Sequence, residues 1–211
     1  MKEKETKTII NGKRMAKSAN YNQTTTASED EMQALLKPKA SAVERERGFR
    51  LLLNTYGEML YWHIRRIVVS HDDAEDAMQE TAIKIFSRLD SFEGKSSLKT
   101  WAYSIATNEA LQLLRKKCAF LQSIDSEEFG IKLIDELEST EGVDAQAAET
   151  VFQEALLKLP SLQRLVFNMR YYDDMPYEEI STVTGKNVNT LKTSYHFAAQ
   201  KIKDYLKENA I

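Results

Sequence analysis

The stretch HDDAEDAMQETAIKIFSRLDSFEGKSSLKTWAYSIATNEALQLLRKK, residues 71–117, decides the fold of this chain. Apolar residues recur at steps of three and four on both sides of a short segment around Gly94, which predicts two amphipathic helices joined by a loop. The first helix has an acidic face, and the second has basic and aromatic residues on its outward side. This asymmetry favours a module that contacts a protein with one face and a nucleic acid with another.

The first of these helices has one apolar and one polar face. We expect Asp72 to cap it, with Glu75 completing a capping box. Its buried stripe is predicted to contain Ala74, Ala77, Met78, Ala82, Ile85, Phe86 and Leu89. The spacing places four residues together on the opposite face: Asp76, Gln79, Glu80 and Ile83. An isoleucine framed by acids and an amide predicts a protein-docking patch, and a plain solvated helix face is the alternative.

The second helix combines an apolar side with a basic, aromatic side. Ser96 or Ser97 is expected to cap it. The residues predicted to face inward are Leu98, Trp101, Ala102, Ile105 and Leu113. Those left available to solvent or a ligand are Lys99, Tyr103, Thr107, Asn108, Arg115 and Lys116. Lysines interleaved with rings and amides suit single-stranded DNA, since bases stack on rings and lysines meet phosphates. Packing inside the fold is the alternative for the aromatic residues, and we favour it for Trp101.

Helices are also predicted on both sides of this stretch. Residues 43–69 have one apolar face, and His63 near its edge is expected to be a packed or half-exposed histidine rather than a metal ligand. The segment MPYEEISTVTGKNVNTLKTSYHFAAQKI, residues 175–202, predicts a helix-turn-helix with a tight turn at Gly185. The outward face of its second helix is predicted to present Asn189, Thr190, Lys192, Thr193, His196 and Gln200.

Composition and charge limit the fold class. The 211 residues include only seven Gly and three Pro, which favours long helices over a sheet with many turns. The net charge of -3 hides local excesses, because residues 121–155 carry ten acids and one base whereas residues 185–203 carry four lysines and no acid. Cys118 is the single cysteine, which excludes an intrachain disulfide and a multi-cysteine zinc site.

The chain is predicted to be all-α, with two small helical domains joined by a flexible acidic linker. We expect a disordered, polar N-terminal extension at residues 1–42, because it is poor in apolar residues. The domains are expected at 43–118 and 151–208, with the linker at 119–150. No apolar run approaches the roughly 20 residues that a membrane span needs, and no secretory signal is evident, which fits a protein of the reducing cytoplasm.

Several motifs together resemble one protein family. DAEDAMQE (73–80), DSFEG (90–94) and SSLKTWAYSIATN (96–108) resemble region 2 of the extracytoplasmic-function class of bacterial RNA polymerase sigma factors, in the sigma-70 family. LPSLQRLVF (159–167) and PYEEI (176–180) resemble region 4 of the same family. The resemblance implies a region 2 helical bundle and a region 4 helix-turn-helix. It also implies a sigma factor that binds core RNA polymerase and directs promoter recognition, minus-ten melting and transcription initiation.

The resemblance assigns three sets of binding residues. The face that would grip the coiled coil of the largest polymerase subunit consists of Asp76, Gln79, Glu80 and Ile83. The minus-ten element would be captured by Phe92, Ser96, Lys99, Tyr103, Asn108, Arg115 and Lys116. The minus-thirty-five element would be contacted by Asn189, Thr190, Lys192, Thr193 and His196. The polymerase flap region and an anti-sigma factor are further expected partners, and we expect a monomer when the chain is free.

The recognition helix departs from the family pattern. The family commonly carries arginines where this chain has Ser194, Phe197 and Ala199. Fewer charges neutralise fewer phosphates, so we expect weak duplex binding by this domain alone. Phe197 would be an anti-sigma contact or a cover for a neighbouring helix, and we favour the second.

Two other function classes each account for part of the sequence. A dimeric helix-turn-helix regulator would explain residues 175–202 but leaves residues 71–117 unused. An enzyme is suggested by His71, Asp72 and Asp73, which imitate part of a metal phosphohydrolase site, but such a site needs further ligands from other helices. His63 and His196 lie in no supporting motif. We therefore expect no enzymatic activity, no metal and no cofactor.

Overall fold

The computed structural model of the chain describes residues 29–35, 40–121 and 147–209. In these ranges the regular elements are all helical, which confirms the predicted fold class. The helices are α1 (Glu29–Leu35), α2 (Ala42–Val68), α3 (His71–Arg88), α4 (Leu98–Leu121), α5 (Ala147–Leu157), α6 (Ser161–Tyr171), α7 (Tyr177–Thr184) and α8 (Val188–Asn209), with a 3-10 turn at Leu89–Ser91. None of the described helices is both long enough and apolar enough to span a membrane.

Helices α2, α3 and α4 pack on one another and form what we call the N-terminal bundle. Leu60, Ile64 and Ile85 are fully buried at its centre. Helix α2 begins with a capping box in which the Ser41 N–H donates to Glu44 Oε2 (2.7 Å) and the Glu44 N–H donates to Ser41 Oγ (3.3 Å). Hydrogen bonds from the Ser41 backbone and then its side chain lower the pKa of Glu44. The bonds satisfy backbone donors that the helix itself leaves unpaired.

The start of α3 differs from the sequence prediction. Ser70, rather than Asp72, is the N-cap, and its Oγ accepts from the Asp73 N–H at 3.4 Å. The chain turns sharply at Val69, which has a φ of 69°, so that Ser70 is extended and its hydroxyl lies over the first turn. Phe86 was predicted to be buried, yet it is 44% exposed and packs edge-on against Phe49 with ring centroids 5.1 Å apart.

Helices α5 to α8 form the C-terminal bundle, in which α8 packs against α5, α6 and α7. Helix α6 begins directly after Pro160, which is its N-cap. Gly185 ends α7 in the left-handed conformation, with a φ of 67°, and its N–H donates to the Ser181 carbonyl at 2.8 Å. Asn187 then caps α8, since its Oδ1 accepts from the Thr190 N–H at 2.8 Å. This tight turn produces the predicted helix-turn-helix.

The two bundles share an apolar core. Helix α4 packs against α7, and α2 packs against α6. One continuous cluster joins residues of the N-terminal bundle, such as Tyr103, to Met169, Met175 and Ile180 of the C-terminal bundle. A second, smaller cluster around Phe167 lies within the C-terminal bundle alone. The bundles are therefore two sets of helices in contact, not two bodies with wholly separate cores.

The N-terminal extension contains an ordered element. Helix α1 lies inside the stretch 1–42 that was expected to be disordered, and Met32 is only 1% exposed. Burial of this methionine gives the short helix an anchor that composition alone does not reveal. Residues 1–28 and 36–39 lie outside the described residues, as does 122–146 of the predicted linker. Helices α4 and α5 extend into the two ends of that linker.

Helix α1 also caps α4. Glu29 Oε1 accepts a hydrogen bond from the Leu98 N–H at 2.6 Å, at the positive end of the α4 dipole. Burial, and secondarily the Glu29 carboxylate, raise the pKa of the nearby Tyr56 hydroxyl. A residue outside the predicted domains thus fixes the start of the helix that carries most of the predicted DNA-binding residues.

We predict that Glu29→Ala lowers the free energy of unfolding by about 1 kcal/mol, because the Leu98 N–H loses its acceptor. The same substitution should lower the pKa of Tyr56, which an NMR pH titration of the assigned Tyr56 ring measures. Asp30→Ala is the control, since Asp30 is exposed in the same turn of α1. Equal losses of stability in the two variants, measured by urea unfolding, would contradict the capping role.

Candidate functional site

The acidic face of α3 is exposed. Asp76, Gln79 and Glu80 are all exposed, and Ile83 is 61% exposed. The opposite side of α3 holds Ala77 and Ile85 in the core, which orients the acidic face outward. The structure therefore brings the four residues of the predicted docking patch together on one surface. An exposed isoleucine next to carboxylates is the kind of apolar contact that a protein partner covers.

The loop between α3 and α4 is fixed at both ends. Phe92 packs on Trp101, with ring centroids 5.3 Å apart, so the packing favoured for Trp101 is confirmed. Ser97 Oγ accepts from the Thr100 N–H at 3.0 Å and caps α4. The exposed tip at residues 93–95 turns at Gly94, where φ is 68°. Ser96, which is half-buried, donates to the Ser97 carbonyl at 3.3 Å. The loop is thus held in one shape next to α4.

Of the α4 residues that were predicted to face a ligand, some are exposed or half-buried and the others are fully buried. Asn108, Arg115 and Lys116 are exposed. Lys99 is half-buried and places its Nζ 5.7 Å from the centre of the Tyr103 ring. The exposure of Asn108, Arg115 and Lys116 agrees with their predicted outward positions on α4.

Tyr103 and Thr107 were predicted to be available to solvent or ligand, and the structure contradicts this. Tyr103 is 0% exposed and Thr107 is 2% exposed. The Tyr103 ring lies 4.8 Å from the His63 ring, and the Thr107 Oγ1 lies 2.7 Å from the Tyr103 carbonyl oxygen. The physical reason is tertiary: His63 of α2 packs against Tyr103 and Thr107, and α7 packs against α4, and periodicity within α4 cannot indicate these contacts.

A buried polar cluster lies where the bundles meet, and we call it the His63–Asp173 cluster. It consists of His63, Arg66, Thr107 and Asp173. His63 is fully buried; its Nδ1 lies 3.1 Å from Asp173 Oδ2 and its Nε2 lies 2.9 Å from Thr107 Oγ1. Arg66 donates to Asp173 Oδ1 at 2.9 Å, and its guanidinium stacks 4.5 Å from the centre of the Tyr172 ring. Because a carboxylate can only accept, Nδ1 of His63 donates to Asp173.

A second polar contact joins the bundles near the start of α4. Thr100 is buried, and its Oγ1 donates to Glu179 Oε2 of α7 at 2.9 Å. Sequence reasoning identified neither Asp173 nor Glu179. The one available signal in the sequence was His63, which lies beside the apolar face of α2. A buried histidine needs a polar partner.

The outward face of α8 has the predicted composition. The five residues assigned to duplex contact are exposed: Asn189, Thr190, Lys192, Thr193 and His196. Four residues on the other side of α8 are buried in the bundle: Leu191, Ser194, Ala198 and Ile202. An open groove lined by Asn187, Asn189, Thr190, Thr193 and others runs along the start of the helix. Phe197, expected to cover a neighbouring helix, is 52% exposed, with its ring centroid 6.0 Å from that of His196.

The hydrolase-like residues at the start of α3 have structural partners. His71 Nδ1 lies 2.7 Å from the Tyr61 hydroxyl, and Nε2 lies 3.2 Å from Glu75. Asp73 pairs with Lys117 of α4. Within residues 29–35, 40–121 and 147–209, no group of three or more His, Cys, Asp or Glu side chains is arranged to hold a metal ion. The contacts of His71 with Tyr61 and of Asp73 with Lys117 thus link α3 to α2 and to α4.

Two family models match the chain. The model of Sigma-70 region 2 matches residues 52–118, and the model of Sigma-70, region 4 matches residues 150–202. The first range ends in α4 and contains all of α3; the second contains the helix-turn-helix.

Curated relatives resemble the chain over most of its length. The chain is 26% identical over 187 residues to the ECF RNA polymerase sigma factor SigW of Bacillus subtilis, an alignment that covers 84% of this chain and 100% of the relative. It is 30% identical over 136 residues to the RNA polymerase sigma factor SigV of the same organism, covering 64% of this chain and 77% of the relative.

Two solved structures share the fold. CnrH, solved in complex with the cytosolic domain of CnrY, has a TM-score of 0.62 at 18% identity and covers 87% of this chain and 100% of its own. The sigma factor RpoE of Bartonella quintana, solved in complex with the anti-sigma factor NepR, has a TM-score of 0.58 at 24% identity. This match covers 78% of the present chain and 97% of RpoE.

Proposed function

Because the chain belongs to the extracytoplasmic-function class of the sigma-70 family of RNA polymerase sigma factors, we propose that it binds core RNA polymerase, recognises a promoter and melts its minus-ten element. The activity consists of binding and strand separation, and this chain performs no covalent chemistry. One observation carries the proposal: a single chain presents an acidic face on α3, a loop and basic residues on α4, and a polar face on α8.

The acidic face of α3 is proposed as the polymerase-docking surface. Asp76 and Glu80 lie one turn apart, and Ile83, which is 61% exposed, follows them on the same face. Such a face suits the coiled coil of the largest polymerase subunit, where the isoleucine would be covered and the carboxylates would meet basic side chains. The charges would set the orientation and the rate of association more than the final affinity.

We predict that Asp76→Lys combined with Glu80→Lys weakens association with core polymerase at least about tenfold, since like charges then face each other across the contact. A pull-down of purified chain with core polymerase measures the effect. The matched control is Glu58→Lys with Glu208→Lys, which changes two exposed acids elsewhere and gives the same net charge. If the α3 variant and the control bind as the unaltered chain does, the docking assignment is wrong.

The loop at residues 92–96 and the exposed side of α4 are proposed to capture the opened minus-ten strand. The loop tip is exposed, and Lys99 lies beside it in the first turn of α4. Exposed Arg115 and Lys116 lie further along the same helix, where they would supply positive charge for phosphates. Asn108 is exposed with an amide that can bond a base edge. Capture of an unstacked base offsets the few kcal/mol that unstacking costs, and so favours the open promoter.

We predict that Asn108→Ala reduces open-complex formation about tenfold on a duplex promoter and less on a pre-melted one, since the lost hydrogen bond acts on the opened base. Permanganate reactivity of unpaired thymines measures opening. Asn54→Ala is the control, because Asn54 is an exposed asparagine of α2 away from the loop. Equal defects on both templates would point to a simple loss of affinity.

The outward face of α8 is proposed to enter the major groove of the minus-thirty-five element. Asn189, Thr190 and Thr193 lie in the first turns of α8 and line the open protein groove there. The first turns of a recognition helix are the part that contacts base edges. Exposed Lys192 would meet a phosphate. The family's arginines are absent at Ser194, Phe197 and Ala199. With fewer charges to neutralise phosphates, this domain alone would bind its duplex weakly, so polymerase would have to hold it there.

We predict that Lys192→Ala weakens binding to duplex DNA by a similar factor for all sequences. The slope of log K against the logarithm of the salt concentration should also fall in magnitude by about one, because one phosphate contact is lost. Fluorescence anisotropy of holoenzyme on labelled duplex, at several salt concentrations, measures both. Lys201→Ala is the control, since Lys201 lies nine residues further along α8 and therefore on its opposite side. An unchanged slope for Lys192→Ala would remove the phosphate contact.

The further partners follow from the same proposal. The two solved relatives were captured with CnrY and with the anti-sigma factor NepR, which supports an anti-sigma factor as a partner of this chain. The polymerase flap region is the proposed partner of the C-terminal bundle. A protein that acts on RNA polymerase would work in the cytoplasm, as a monomer when it is free.

A further inference from the structure

We propose that Phe197 reads a base of the promoter. Its ring contacts the C5-methyl group of a thymine in the major groove, and it thereby sets a preference for thymine at one position of the minus-thirty-five element. The inference rests on the function proposed for α8. It adds a specificity-determining residue, of a different chemical kind, to the five polar residues assigned to that face.

The Phe197 side chain is open to solvent. It is 52% exposed, and it is the most exposed of the large apolar side chains in residues 150–209. Its neighbours Ser194 and Ala198 are buried in the bundle. The ring lies edge-on to that of His196, with centroids 6.0 Å apart, and His196 is itself exposed. Phe197 therefore keeps about half of its surface available to a ligand of α8.

The register of α8 places Phe197 on the face that is proposed to meet DNA. Thr190, Thr193 and Phe197 are spaced by three and four residues, so they form one stripe along the helix. Thr190 and Thr193 are exposed and line the open protein groove at the start of α8. Phe197 lies one turn beyond Thr193, roughly 6 Å along the helix axis. This exceeds the separation of about 3.4 Å between neighbouring base pairs, so the ring would meet a different base pair from Thr193.

The chemistry of a phenylalanine ring selects thymine among the four bases. In the major groove the other bases present only hydrogen-bond donors and acceptors, whereas thymine also presents a methyl group. A ring without donors or acceptors gains an apolar contact on that methyl group. Against any other base edge it would remove water from polar atoms without replacing their hydrogen bonds. An arginine in the same place would instead form two hydrogen bonds with guanine.

The surroundings of Phe197 favour DNA over a protein as the occupant. The exposed residues beside it on α8 are polar, among them Thr193, His196 and Gln200. Residues 185–203 carry four lysines and no acid, so the local charge attracts phosphates. A protein contact usually has several apolar side chains at its centre, as on α3, where Ile83 and Phe86 are both exposed one turn apart. A single ring among hydroxyl and amide groups is more typical of base readout.

Selection from random DNA tests the inference. Holoenzyme assembled from the full chain and core polymerase selects duplexes from a random pool, and the bound duplexes are sequenced. We expect thymine to be enriched at one position of the upstream element by the unsubstituted chain and by Phe197→Leu, which keeps an apolar side chain. Phe197→Ala should lose the preference at that position alone, and Phe197→Arg should select guanine there. Because Phe197 is exposed, these variants should keep the helical circular dichroism of the unsubstituted chain.

Replacing the selected thymine with deoxyuridine, which lacks only the methyl group, isolates the contact. Fluorescence anisotropy should show that holoenzyme with the unsubstituted chain binds the deoxyuridine duplex about fourfold more weakly, the factor expected for one buried methyl-sized group. Phe197→Ala should bind the two duplexes equally. Equal loss in both proteins, or a Phe197→Ala variant that selects the same sequence as the unsubstituted chain, would overturn base reading by Phe197 while leaving the proposed function intact. A holoenzyme that selects no shared sequence at all would contradict both.

Discussion

The arrangement of the two bundles depends on the buried carboxylate of Asp173. An ionised carboxylate away from water is unfavourable by several kcal/mol unless donors surround it, and here His63 and Arg66 of α2 supply them. Their positions on one turn of α2 define where the chain after α6 must lie. Because α7 follows directly, the same constraint brings Glu179 to Thr100 and lays α7 along α4. This charged cluster and the apolar core that the bundles share thus relate two sets of helices that the sequence presents as separate.

Helix α4 is the element on which the functional proposals converge. Its start is capped by Ser97 and by Glu29 of α1, one side is buried against α2, α3 and α7, and the exposed side carries Asn108. A helix held at its end and along its buried sides can present a loop and polar side chains in a fixed geometry, which base capture requires. Contacts with both bundles therefore set the position of α4, while its exposed side stays accessible.

Much of this was predictable from the sequence, and the failures have a common cause. The helices, the exposure of Asp76 and Ile83, the glycine turn at Gly185 and the outward face of α8 follow from periodicity and turn chemistry, which are local. The burial of Tyr103 and Thr107 and the cluster at Asp173 depend on contacts between residues more than 40 positions apart. The cap of α3 was missed because the backbone turn at Val69 shifts it to Ser70, and α1 was missed because one buried methionine anchors a polar stretch.

Reconstituted transcription tests the central claim, that one chain joins core polymerase to a promoter, most directly. Purified chain is added to core polymerase with a library of genomic fragments, and the 5′ ends of the transcripts are mapped. The account predicts transcripts that depend on the added chain and start downstream of a shared pair of upstream sequence elements, one for each bundle. Transcripts that are the same with and without the chain, from a core enzyme that a known sigma factor does activate, would contradict it.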